Sequence, residues 1–576
     1  METDLKWSNP LLRTILMTAL ISGTLSTPLI SQTAAQPSPV QFTDVAGESG
    51  LRFRHTFGAR KLQNVLMTTG SGCALVDIDN DGWLDAFLVN GTYLNNQGKL
   101  SSDRSRPHGL FHNLGDGTFG KVAERSGLPE PSYGQGCTWG DIDGDGYTDL
   151  YITNYGPNNL YRNLGDRTFA NLTSSSGTGN PEYGTGAAFL DYDGDGDLDL
   201  YVANFLKFRP DMKGVHASSL SKRGGFKFFP GPRDYEAEDD VLYRNNGDGS
   251  FTEVSYESGL VPGGKGLTVV TGDFDNDGRS DIFVANDATP NFLYRNTGGH
   301  FEEVALSAGV AYDPDGAETA AMGVDVVDID EDGLQDIYVT NMVFEFNNLY
   351  RNLGNLAFED ATRSFKLDKD NYRHVGWATR FADFNQDGHL DCFVANGHVV
   401  DYVEGFSQSI TYPQRNMLFL GNAAGQFEDF GDKAGDDFRR KTVSRGAALG
   451  DYDNDGDIDI LISNSGGRAQ LLRNELPANK NWVKIKLKGM PPNTHAIGAK
   501  LNVKYGDRSI SSYVSFSSTY LSSSDPTVHL GLSTQDSEVV VDVTWPSGKE
   551  STHKVATAQL TIIEEPQSLE MTDEGE

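Results

Sequence analysis

Short apolar runs alternate along this chain with Gly- and Asp-rich turns, and no segment sustains a helical hydrophobic period. Seven of the runs are rich in β-branched and aromatic residues and end in Asn: AFLVN, LYITN, LYVAN, IFVAN, IYVTN, CFVAN and ILISN. Runs of this composition predict β-strands. A second phrase such as LYRNNGDGSF recurs after them, and its N-G-D-G core predicts a tight hairpin between two further strands. We therefore expect an all-β protein made of repeated four-stranded units.

A loop of the form D-x-[DN]-x-D-G-x-x-D precedes each Asn-ending strand, as in DIDGDGYTDLYITN from Asp141. Positions 1, 3, 5 and 9 supply carboxylates, the Gly at position 6 permits a sharp turn, and position 7 offers a backbone carbonyl. Hard oxygen ligands at this spacing suit Ca²⁺. An EF-hand would need a Glu at position 12 and flanking helices, but position 12 is aliphatic in all seven loops. One such loop could be a metal-free turn, whereas seven copies in the same context favour calcium.

The seven loops begin about 50 to 80 residues apart and predict up to seven Ca²⁺ ions. One loop departs from the pattern, because Asn385 stands where the others have Asp at position 3. The candidate ligands, with position 7 contributing its backbone carbonyl, are Asp77, Asp79, Asp81, Trp83, Asp85, Asp141, Asp143, Asp145, Tyr147, Asp149, Asp191, Asp193, Asp195, Asp197, Asp199, Asp273, Asp275, Asp277, Arg279, Asp281, Asp328, Asp330, Asp332, Leu334, Asp336, Asp383, Asn385, Asp387, His389, Asp391, Asp451, Asp453, Asp455, Asp457 and Asp459.

The last repeat is incomplete, and its missing portion stands at the start of the chain. After the seventh loop the F-x-x-V…S-G-L phrase is absent, while QFTDVAGESGL occupies residues 41–51. An N-terminal strand that completes the last blade would close a ring and leave no long unpaired edge. A period of about 50 residues with four strands per unit is typical of propeller blades. We expect a seven-bladed β-propeller over residues 41–476.

The loops, taken with L-Y-R-N-x-G-D-G-x-F, resemble FG-GAP or VCBS repeats, the blades that integrin α chains also use. More specific phrases resemble the cartilage acidic protein family and its bacterial relatives: FVANDATPNFLYRN from Phe283, MGVDVVDIDEDG from Met322 and GWATRFADFNQDGHLDCFVANGHV from Gly376. The resemblance implies calcium-binding blade loops.

The family also carries a C-terminal ASPIC/UnbV domain, and three phrases resemble it: HAIGAKLNV from His495, VHLGLS from Val528 and VTWPSGK from Val543. Two departures concern this region. Thr494 and His495 stand where family members often have an Arg-Asp pair, and no EGF-like module follows. Strand-like runs broken by Gly, Pro and Asp turns predict a small β-sandwich or barrel at residues 479–565. Residues 566–576 are expected to form an acidic, disordered tail.

The first 35 residues predict a secretory signal peptide. Lys6 and Arg13 precede the apolar stretch TILMTALISGTLSTPLI, and SQTAAQ follows, with expected cleavage after Ala35. The alternative is an uncleaved membrane anchor, which the Ser, Thr, Gly and Pro residues in the run disfavour. We expect no membrane span in the mature chain and a location that is secreted, periplasmic or at the cell surface.

Charge and cysteine content limit the functional classes. The chain has 81 acidic and 47 basic residues and a net charge of −34, and the loop aspartates make up about a third of the acids. Carboxylates this close repel one another without a cation, so stability should depend on metal. The acidity disfavours nucleic-acid binding, which needs a basic surface. The three cysteines, Cys73, Cys137 and Cys392, are expected to be buried rather than to carry the fold as disulfides.

Two insertions interrupt the repeat and are candidates for functional loops. Residues 205–240 are basic and aromatic, and residues 401–415 are shorter. The first insertion could meet three polar residues that follow blade strands, namely Asp287, Asn291 and His398, in a ligand-binding site. Each insertion could equally be a solvated loop.

The function that we favour is an exported calcium-binding protein that acts as a non-enzymatic binding or cell-adhesion module. Its partner would be an extracellular or envelope protein or a glycan, engaged by propeller loops. The alternative is a calcium-dependent carbohydrate-active enzyme similar to a polysaccharide lyase, with His398 and an Arg of the insertion as its reactive pair. No nucleophile elbow, H-E-x-x-H motif or sialidase box is present, so no catalytic residue is assigned.

Overall fold

Seven antiparallel sheets follow one another along the chain in the computed structural model. The structure describes residues 40–93, 106–122, 125–128, 132–211, 229–405, 407–477, 481–532 and 536–567. These residues belong to one compact unit that begins at Ser38. The predicted signal peptide lies outside the described residues, as does nearly all of the predicted acidic tail.

The first strand, β1, is Phe42–Asp44, and six blades follow with four strands each. Their bounds are, for blade 1, β2 (Cys73–Val76), β3 (Asp85–Leu88), β4 (Gly109–Asn113) and β5 (Phe119–Lys121); for blade 2, β6 (Gly134–Gly140), β7 (Asp149–Asn154), β8 (Asn159–Asn163) and β9 (Phe169–Asn171); for blade 3, β10 (Gly184–Leu190), β11 (Asp199–Asn204), β12 (Val241–Asn245) and β13 (Phe251–Glu253); for blade 4, β14 (Gly266–Gly272), β15 (Asp281–Asn286), β16 (Phe292–Asn296) and β17 (Phe301–Glu303); for blade 5, β18 (Val324–Val327), β19 (Asp336–Val339), β20 (Asn348–Asn352) and β21 (Phe358–Asp360); and for blade 6, β22 (Gly376–Ala382), β23 (Asp391–Asn396), β24 (Met417–Leu420) and β25 (Glu428–Asp429).

Blade 7 joins the two ends of the repeat. It contains β26 (Ser444–Gly450), β27 (Asp459–Asn464) and β28 (Gln470–Asn474), and β1 pairs antiparallel with β28 with Phe42 opposite Asn474. The first strands of successive blades pack against one another around the whole ring, including β26 against β2. The predicted seven-bladed β-propeller and its closure by the N-terminal strand are confirmed.

The apolar core lies between neighbouring blades. The ring of Trp139 in blade 2 contacts Phe87 of blade 1 at 5.7 Å between centroids and Phe169 of its own blade at 6.2 Å. Cys73, Cys137 and Cys392 are buried and form no disulfide, as expected.

An Asn at the end of the third strand joins six of the seven blades to the preceding one; in blade 6 Gly421 stands at this place. Asn163 Nδ2 donates to the carbonyl of Ile78 at 2.7 Å, which is position 2 of the preceding calcium-type loop. Asn113, Asn245, Asn296, Asn352 and Asn474 make the equivalent bond at 2.7 to 3.0 Å to the carbonyls of Tyr452, Ile142, Tyr192, Phe274 and Phe384. The Asn of the Y-R-N phrase therefore secures the contact between blades.

Eight further strands form the C-terminal domain and one addition to blade 1. They are β29 (Trp482–Lys488), β30 (Lys500–Tyr505), β31 (Arg508–Tyr513), β32 (Ser523–Ser524), β33 (Val528–Gly531), β34 (Glu538–Thr544), β35 (Glu550–Ala556) and β36 (Leu560–Glu564). One sheet has the order β33-β29-β36 and the other β31-β30-β34-β35. Helices in the described chain are short: α1 (Thr173–Ser176), α2 (Ala305–Ala308) and 3₁₀ turns at Val65–Met67, Pro232–Asp234, Asn371–Arg373 and Val403–Gly405.

Residues 514–525, here called the axial segment, leave the C-terminal domain and enter the centre of the propeller. β32 lies in this segment and pairs parallel with β2, with Ala74 opposite Ser523. Blade 1 is therefore a five-stranded sheet whose innermost strand comes from the other end of the chain. Tyr520 is fully buried.

Hydrogen bonds connect the axial segment to all seven blades, in the order of blades 1 to 7 through Cys73, Cys137, Ala187, Thr271, Val324, Thr379 and Leu449. The Cys137 amide donates to the Leu521 carbonyl at 3.2 Å, and the Leu449 amide to Ser524 Oγ at 3.0 Å. Backbone polar groups of a buried segment need partners of this kind. The segment therefore fills the axis of the ring and fixes the C-terminal domain to the propeller.

Candidate metal centres

Each calcium-type loop is folded by backbone bonds to its own first and last carboxylates. In the second loop Asp145 and Gly146 donate their amides to Asp141 at 3.1 and 2.8 Å. Asp149 accepts the Ile142 amide at 2.9 Å and the Asn163 amide at 2.7 Å. The chain thus wraps around a point to which its carboxylates turn.

The loop requires left-handed backbone at two positions. The seven glycines at position 6 have φ between 84° and 101°, a region that favours Gly. Position 4 is also left-handed in every loop, with φ between 55° and 80°, and it carries Asn or Gly in five loops, with Glu331 and Gln386 as the exceptions. Asn and Gly are the residues that tolerate this region best.

Carboxylate oxygens converge within the loops. In the loops that begin at Asp141, Asp191 and Asp273, one carboxylate oxygen from each of positions 1, 3 and 9 lies within 4.8 Å of the other two. In the loop that begins at Asp77, the same holds for positions 1, 3 and 5. Buried like charges at such distances need a cation or a proton.

Buried oxygens without partners support a bound cation. At position 3, the Oδ1 atoms of Asp79, Asp275, Asp330 and Asp453 are buried and have no hydrogen-bond partner among the described residues. An orphaned buried carboxylate oxygen is costly. A hard divalent cation in the loop would satisfy all four, so the residues present fit Ca²⁺.

The carboxylates at position 9 are the most deeply placed of each loop. Burial raises the pKa of Asp85 and of Asp281 to about 8, and that of Asp199 to about 9, with neighbouring aspartates adding to the rise. Burial likewise raises the pKa of Asp149 well above its usual range. Such groups are protonated near neutral pH unless a cation holds them ionised.

Arginines on the third strands of three blades form ion pairs with the position 3 carboxylate of the loop in the same blade. Arg162 Nε lies 2.6 Å from Asp143 Oδ2, Arg295 Nε 2.9 Å from Asp275 Oδ2, and Arg351 Nε 2.5 Å from Asp330 Oδ2. In the second and third of these pairs, Oδ1 is the orphaned oxygen. The Arg of the Y-R-N phrase therefore engages one carboxylate oxygen and leaves the other for the loop centre.

The sixth loop differs in its contacts. Asn385 uses its Oδ1 to accept the Asp387 amide at 2.9 Å and its Nδ2 to donate to Asp387 Oδ2 at 3.1 Å. Asp383 and Asp391 remain buried, and burial raises the pKa of Asp383 to about 8. This loop keeps the carboxylates of positions 1, 5 and 9, but it has one negative charge fewer than each of the other loops at these four positions.

The C-terminal domain lies directly on the loops. Lys484 Nζ is 3.0 Å from Asp451 Oδ2, Lys486 Nζ is 3.7 Å from Asp77 Oδ2, and the Ser511 amide donates to Asp328 Oδ2 at 3.3 Å. The Thr494 hydroxyl donates to Asp141 Oδ2. All four contacts use the position 1 carboxylate of a loop.

Further contacts extend this interface to loop backbones. Lys500 Nζ donates to the Gly333 carbonyl at 2.8 Å and to Asn276 Oδ1 at 2.7 Å, and His529 Nε2 donates to the Gly456 carbonyl at 2.9 Å. His495, which follows Thr494, is buried, and burial lowers its pKa to about 4. The C-terminal domain therefore covers much of the propeller face that carries the calcium-type loops.

The three predicted ligand-binding residues lie on the opposite face, where second strands end. Asn291 is buried and serves the backbone, since its Oδ1 accepts the Asn286 amide at 3.0 Å and its Nδ2 donates to Val310 at 3.1 Å. His398 Nδ1 accepts the Val400 amide at 3.0 Å, and burial lowers its pKa to about 4. Asp287 is half-buried in blade 4. No hydrogen bond or ion pair joins the three side chains in the described part of the chain.

The environment of Asp287 includes residues that sequence reasoning missed. Burial raises the pKa of Asp287 to about 7, the charge of Glu345 adds to the rise, and Lys265 opposes it. Glu345 Oε2 accepts the Ala320 amide at 2.9 Å, and Ala320 bridges to Asp287. Glu345 is on the loop between the second and third strands of blade 5, so it is the packing of blade 5 against blade 4 that brings it to Asp287.

The first insertion is built into the fold at both ends. Phe205 and Leu206 are buried, and Leu206 bridges to Ala237. Asp240 accepts the Asn204 amide and the Tyr201 hydroxyl, each at 2.7 Å. Residues 212–228 of the insertion lie outside the described residues.

The fold and its repeated loops define an FG-GAP-type β-propeller. The model of the FG-GAP-like repeat matches residues 77–152, 141–202, 234–284 and 273–339, and that of the ASPIC and UnbV domain matches residues 489–570. The chain therefore carries FG-GAP-like repeats and an ASPIC and UnbV domain, and over about half of its length it is homologous to cartilage acidic protein 1.

Cartilage acidic protein 1 of Xenopus tropicalis is 29% identical over 332 residues, which cover 54% of this chain and 46% of that protein. The Homo sapiens protein is 28% identical over 330 residues with the same coverage. The match therefore spans about half the length of these curated relatives. A solved lectin of Agrocybe aegerita that recognises non-reducing terminal N-acetylglucosamine shares 16% identity at a TM-score of 0.35, over 63% of this chain and 79% of the lectin.

No helix in the described part of the chain has the length and apolar character needed to cross a membrane.

Proposed function

We propose that this chain is an exported calcium-binding protein that acts as a non-enzymatic binding module through the propeller face opposite its metal loops. The observation that carries the proposal is the position of the C-terminal domain, which covers the metal loops and fills the propeller axis. Calcium in these loops then has a structural task. The loops of the opposite face remain for a partner.

The metal assignment rests on the chemistry of the loops. Their converging carboxylates and orphaned position 3 oxygens suit a hard cation with oxygen ligands. Calcium outside cells is abundant enough to fill even weak sites of roughly 10⁻⁴–10⁻³ M. Export, which the N-terminal sequence pattern predicts, would place the protein in that environment.

An aromatic cluster on the opposite face is the best candidate contact. We name Phe344, Phe346 and Tyr372 the aromatic ledge; they follow the second strand of blade 5 or precede the first strand of blade 6. Phe344 and Tyr372 are 57% and 42% exposed, although the rings of Phe346 and Tyr372 lie only 4.9 Å apart. Exposed aromatic groups of this kind are enriched where proteins bind partners.

The backbone of the ledge is held under strain. Phe344 has φ of 72°, which is unfavourable for a bulky residue, and its amide donates to the Tyr372 carbonyl at 2.8 Å. Strained, exposed positions persist where the surrounding structure fixes them, and they cluster at functional sites. Glu345, the next residue, turns inward towards Asp287.

A specific observation favours the enzymatic alternative as well. Asp287 and Glu345 are neighbouring carboxyl groups whose pKa values are both raised, chiefly by burial. A pair of this kind can act as general acid and base. His398 fits that role less well, because its lowered pKa makes it a weak base and its Nδ1 is already engaged.

The test is a binding and turnover screen of the purified chain from residue 36 against polysaccharides and extracellular-matrix proteins, in calcium and in chelator. Calcium-dependent retention without new products is the expected result. Phe344→Ser should reduce retention at least tenfold, whereas Leu353→Ser, which changes an exposed residue of the blade 5 hairpin on the covered face, should not. If the chain instead released shortened products from a polysaccharide, and Asp287→Asn abolished that release, the protein would be a carbohydrate-active enzyme.

A further inference from the structure

In blade 1, a histidine occupies the position where most other blades have an arginine next to the calcium-type loop. The third strand carries Arg162, Arg244, Arg295, Arg351 and Arg473 in blades 2, 3, 4, 5 and 7, and Leu420 in blade 6. Blade 1 has His112 at this place, one residue before Asn113. Asn113 and Asn163 both donate their backbone amides to the position 9 carboxylate of their own loop, so His112 and Arg162, which precede them, occupy equivalent positions in the structure.

The imidazole contacts a different carboxylate of its loop from the one that the arginines contact in theirs. His112 Nδ1 is 3.0 Å from Asp85 Oδ1 and 3.8 Å from Asp79 Oδ2. One ligand atom from each of these three residues can be chosen so that all lie within 4.8 Å of one another. In blades 2, 4 and 5 the arginine engages position 3, whereas His112 is nearest to position 9.

The surroundings leave one oxygen for a ligand. Asp85 has a side chain only 1% exposed, and its oxygens accept the Ile78 and Asn113 amides. Asp79 Oδ1 is buried without a partner among the described residues, while Asp79 Oδ2 faces Arg167 Nε at 3.5 Å. A cation bound by Asp79 through Oδ1, together with Asp85 and His112, would give the orphaned oxygen a partner.

The donor set favours a different ion from the other loops. Ca²⁺ takes oxygen ligands at about 2.3–2.6 Å, whereas imidazole nitrogen suits first-row transition metals with bonds near 2.1 Å. His112 Nδ1 and Asp85 Oδ1 are a hydrogen-bonded pair at 3.0 Å, and this separation is also close to the distance of about 3.0 Å between neighbouring ligands in an octahedron with such bonds.

We propose that the blade 1 loop binds a first-row transition-metal ion of the Mn²⁺ to Zn²⁺ series through His112, Asp79 and Asp85, and is selective for it over calcium. The proposal extends the assignment of the blade loops as cation sites. It makes one of the seven loops chemically distinct.

The experiment uses Co²⁺ as the probe, because its visible absorption reports nitrogen ligation while Ca²⁺ is silent. The purified chain is stripped of metal, dialysed into excess Ca²⁺ and titrated with Co²⁺, and bound calcium is measured by elemental analysis. We expect one Co²⁺ per chain that excess Ca²⁺ does not displace. His112→Arg should weaken it by at least about tenfold, the loss typical when a supporting metal-site residue is removed.

Two further variants make the result specific. Arg295→His installs the imidazole in blade 4 and should raise the Co²⁺ stoichiometry to two. His300→Ala, which removes an exposed histidine outside the loops, should change nothing.

Absence of calcium-resistant Co²⁺ binding in the wild type, or its retention in His112→Arg, would overturn the proposal and leave His112 as a hydrogen-bond partner of Asp85. If Co²⁺ binds through His112 but no loop retains calcium, the calcium-binding function fails while this site stands.

Discussion

The position of the axial segment can be tested by adding one methyl group to Gly72. A Cβ at this residue would lie 1.7 Å from the Leu521 carbonyl oxygen and 2.7 Å from its carbon. Contacts under 3.0 Å are not tolerated, so the Leu521 backbone must move by at least about 1.3 Å. That movement breaks the 3.2 Å bond from the Cys137 amide to the same oxygen.

The cost follows from these contacts. Overpacking against fixed backbone costs about 1–3 kcal/mol, and the lost hydrogen bond about 1 kcal/mol. Reduced freedom of the unfolded chain offsets about 0.4–1 kcal/mol, because Gly72 does not have left-handed backbone. We expect Gly72→Ala to lower the free energy of unfolding by roughly 1–3 kcal/mol.

The assay is urea unfolding in calcium, followed by tryptophan fluorescence. Trp377 reports on the segment directly, since its ring lies 4.8 Å from that of Tyr520. Limited proteolysis should also cut within residues 514–525 earlier in the variant. Gly47→Ala is the control, because its Cβ would meet no atom within 4 Å. If Gly72→Ala unfolds at the same urea concentration as Gly47→Ala, the segment does not occupy the axis.

Two further predictions concern the metal loops. Replacing Asp143 and Asp145 by Ala should lower the melting temperature in calcium but not in chelator. When free calcium is about 100 times the dissociation constant of a site, binding there adds about 2.7 kcal/mol to the free energy of unfolding, and the variant would lose this contribution. An equal loss in both conditions would contradict a bound ion. In chelator, the urea midpoint should fall as pH rises from about 4 to 8, since the folded pKa values of Asp281 and Asp199, about 8 and about 9, lie above their unfolded values and the native state binds more protons. Saturating calcium should flatten or reverse that slope, and an unchanged slope would show that these carboxylates hold no cation.

The propeller could be predicted from the sequence because its chemistry repeats. Each blade needs left-handed backbone at loop positions 4 and 6, so Gly and Asn recur there. Six blades reach the preceding blade through an amide side chain, so Asn recurs at the end of the third strand. Ring closure followed from the phrase QFTDVAGESGL, which supplies the strand that blade 7 lacks. Each of these signals is a short phrase that recurs in the sequence, so it can be recognised before its distant partner is known.

The covered face could not be predicted in the same way. Residues 514–525 are rich in Ser and Thr, a composition that also suits a solvated turn, and strand β32 has only two residues. Their role depends on seven partners spread over all blades, none of which carries a motif for it. The lysines Lys484 and Lys486 alternate along an ordinary amphipathic strand, and only the fold shows that they face Asp451 and Asp77.

This difference bears on where a partner can bind. From the sequence, the acidic loops are the most conspicuous chemistry, and they could serve a ligand directly. In the structure the position 1 carboxylates of four loops contact the C-terminal domain, so a partner that reached them would first have to displace a domain anchored to every blade. The proposed binding through the opposite face would avoid that cost, and it would use exposed aromatic residues such as Phe344 and Tyr372.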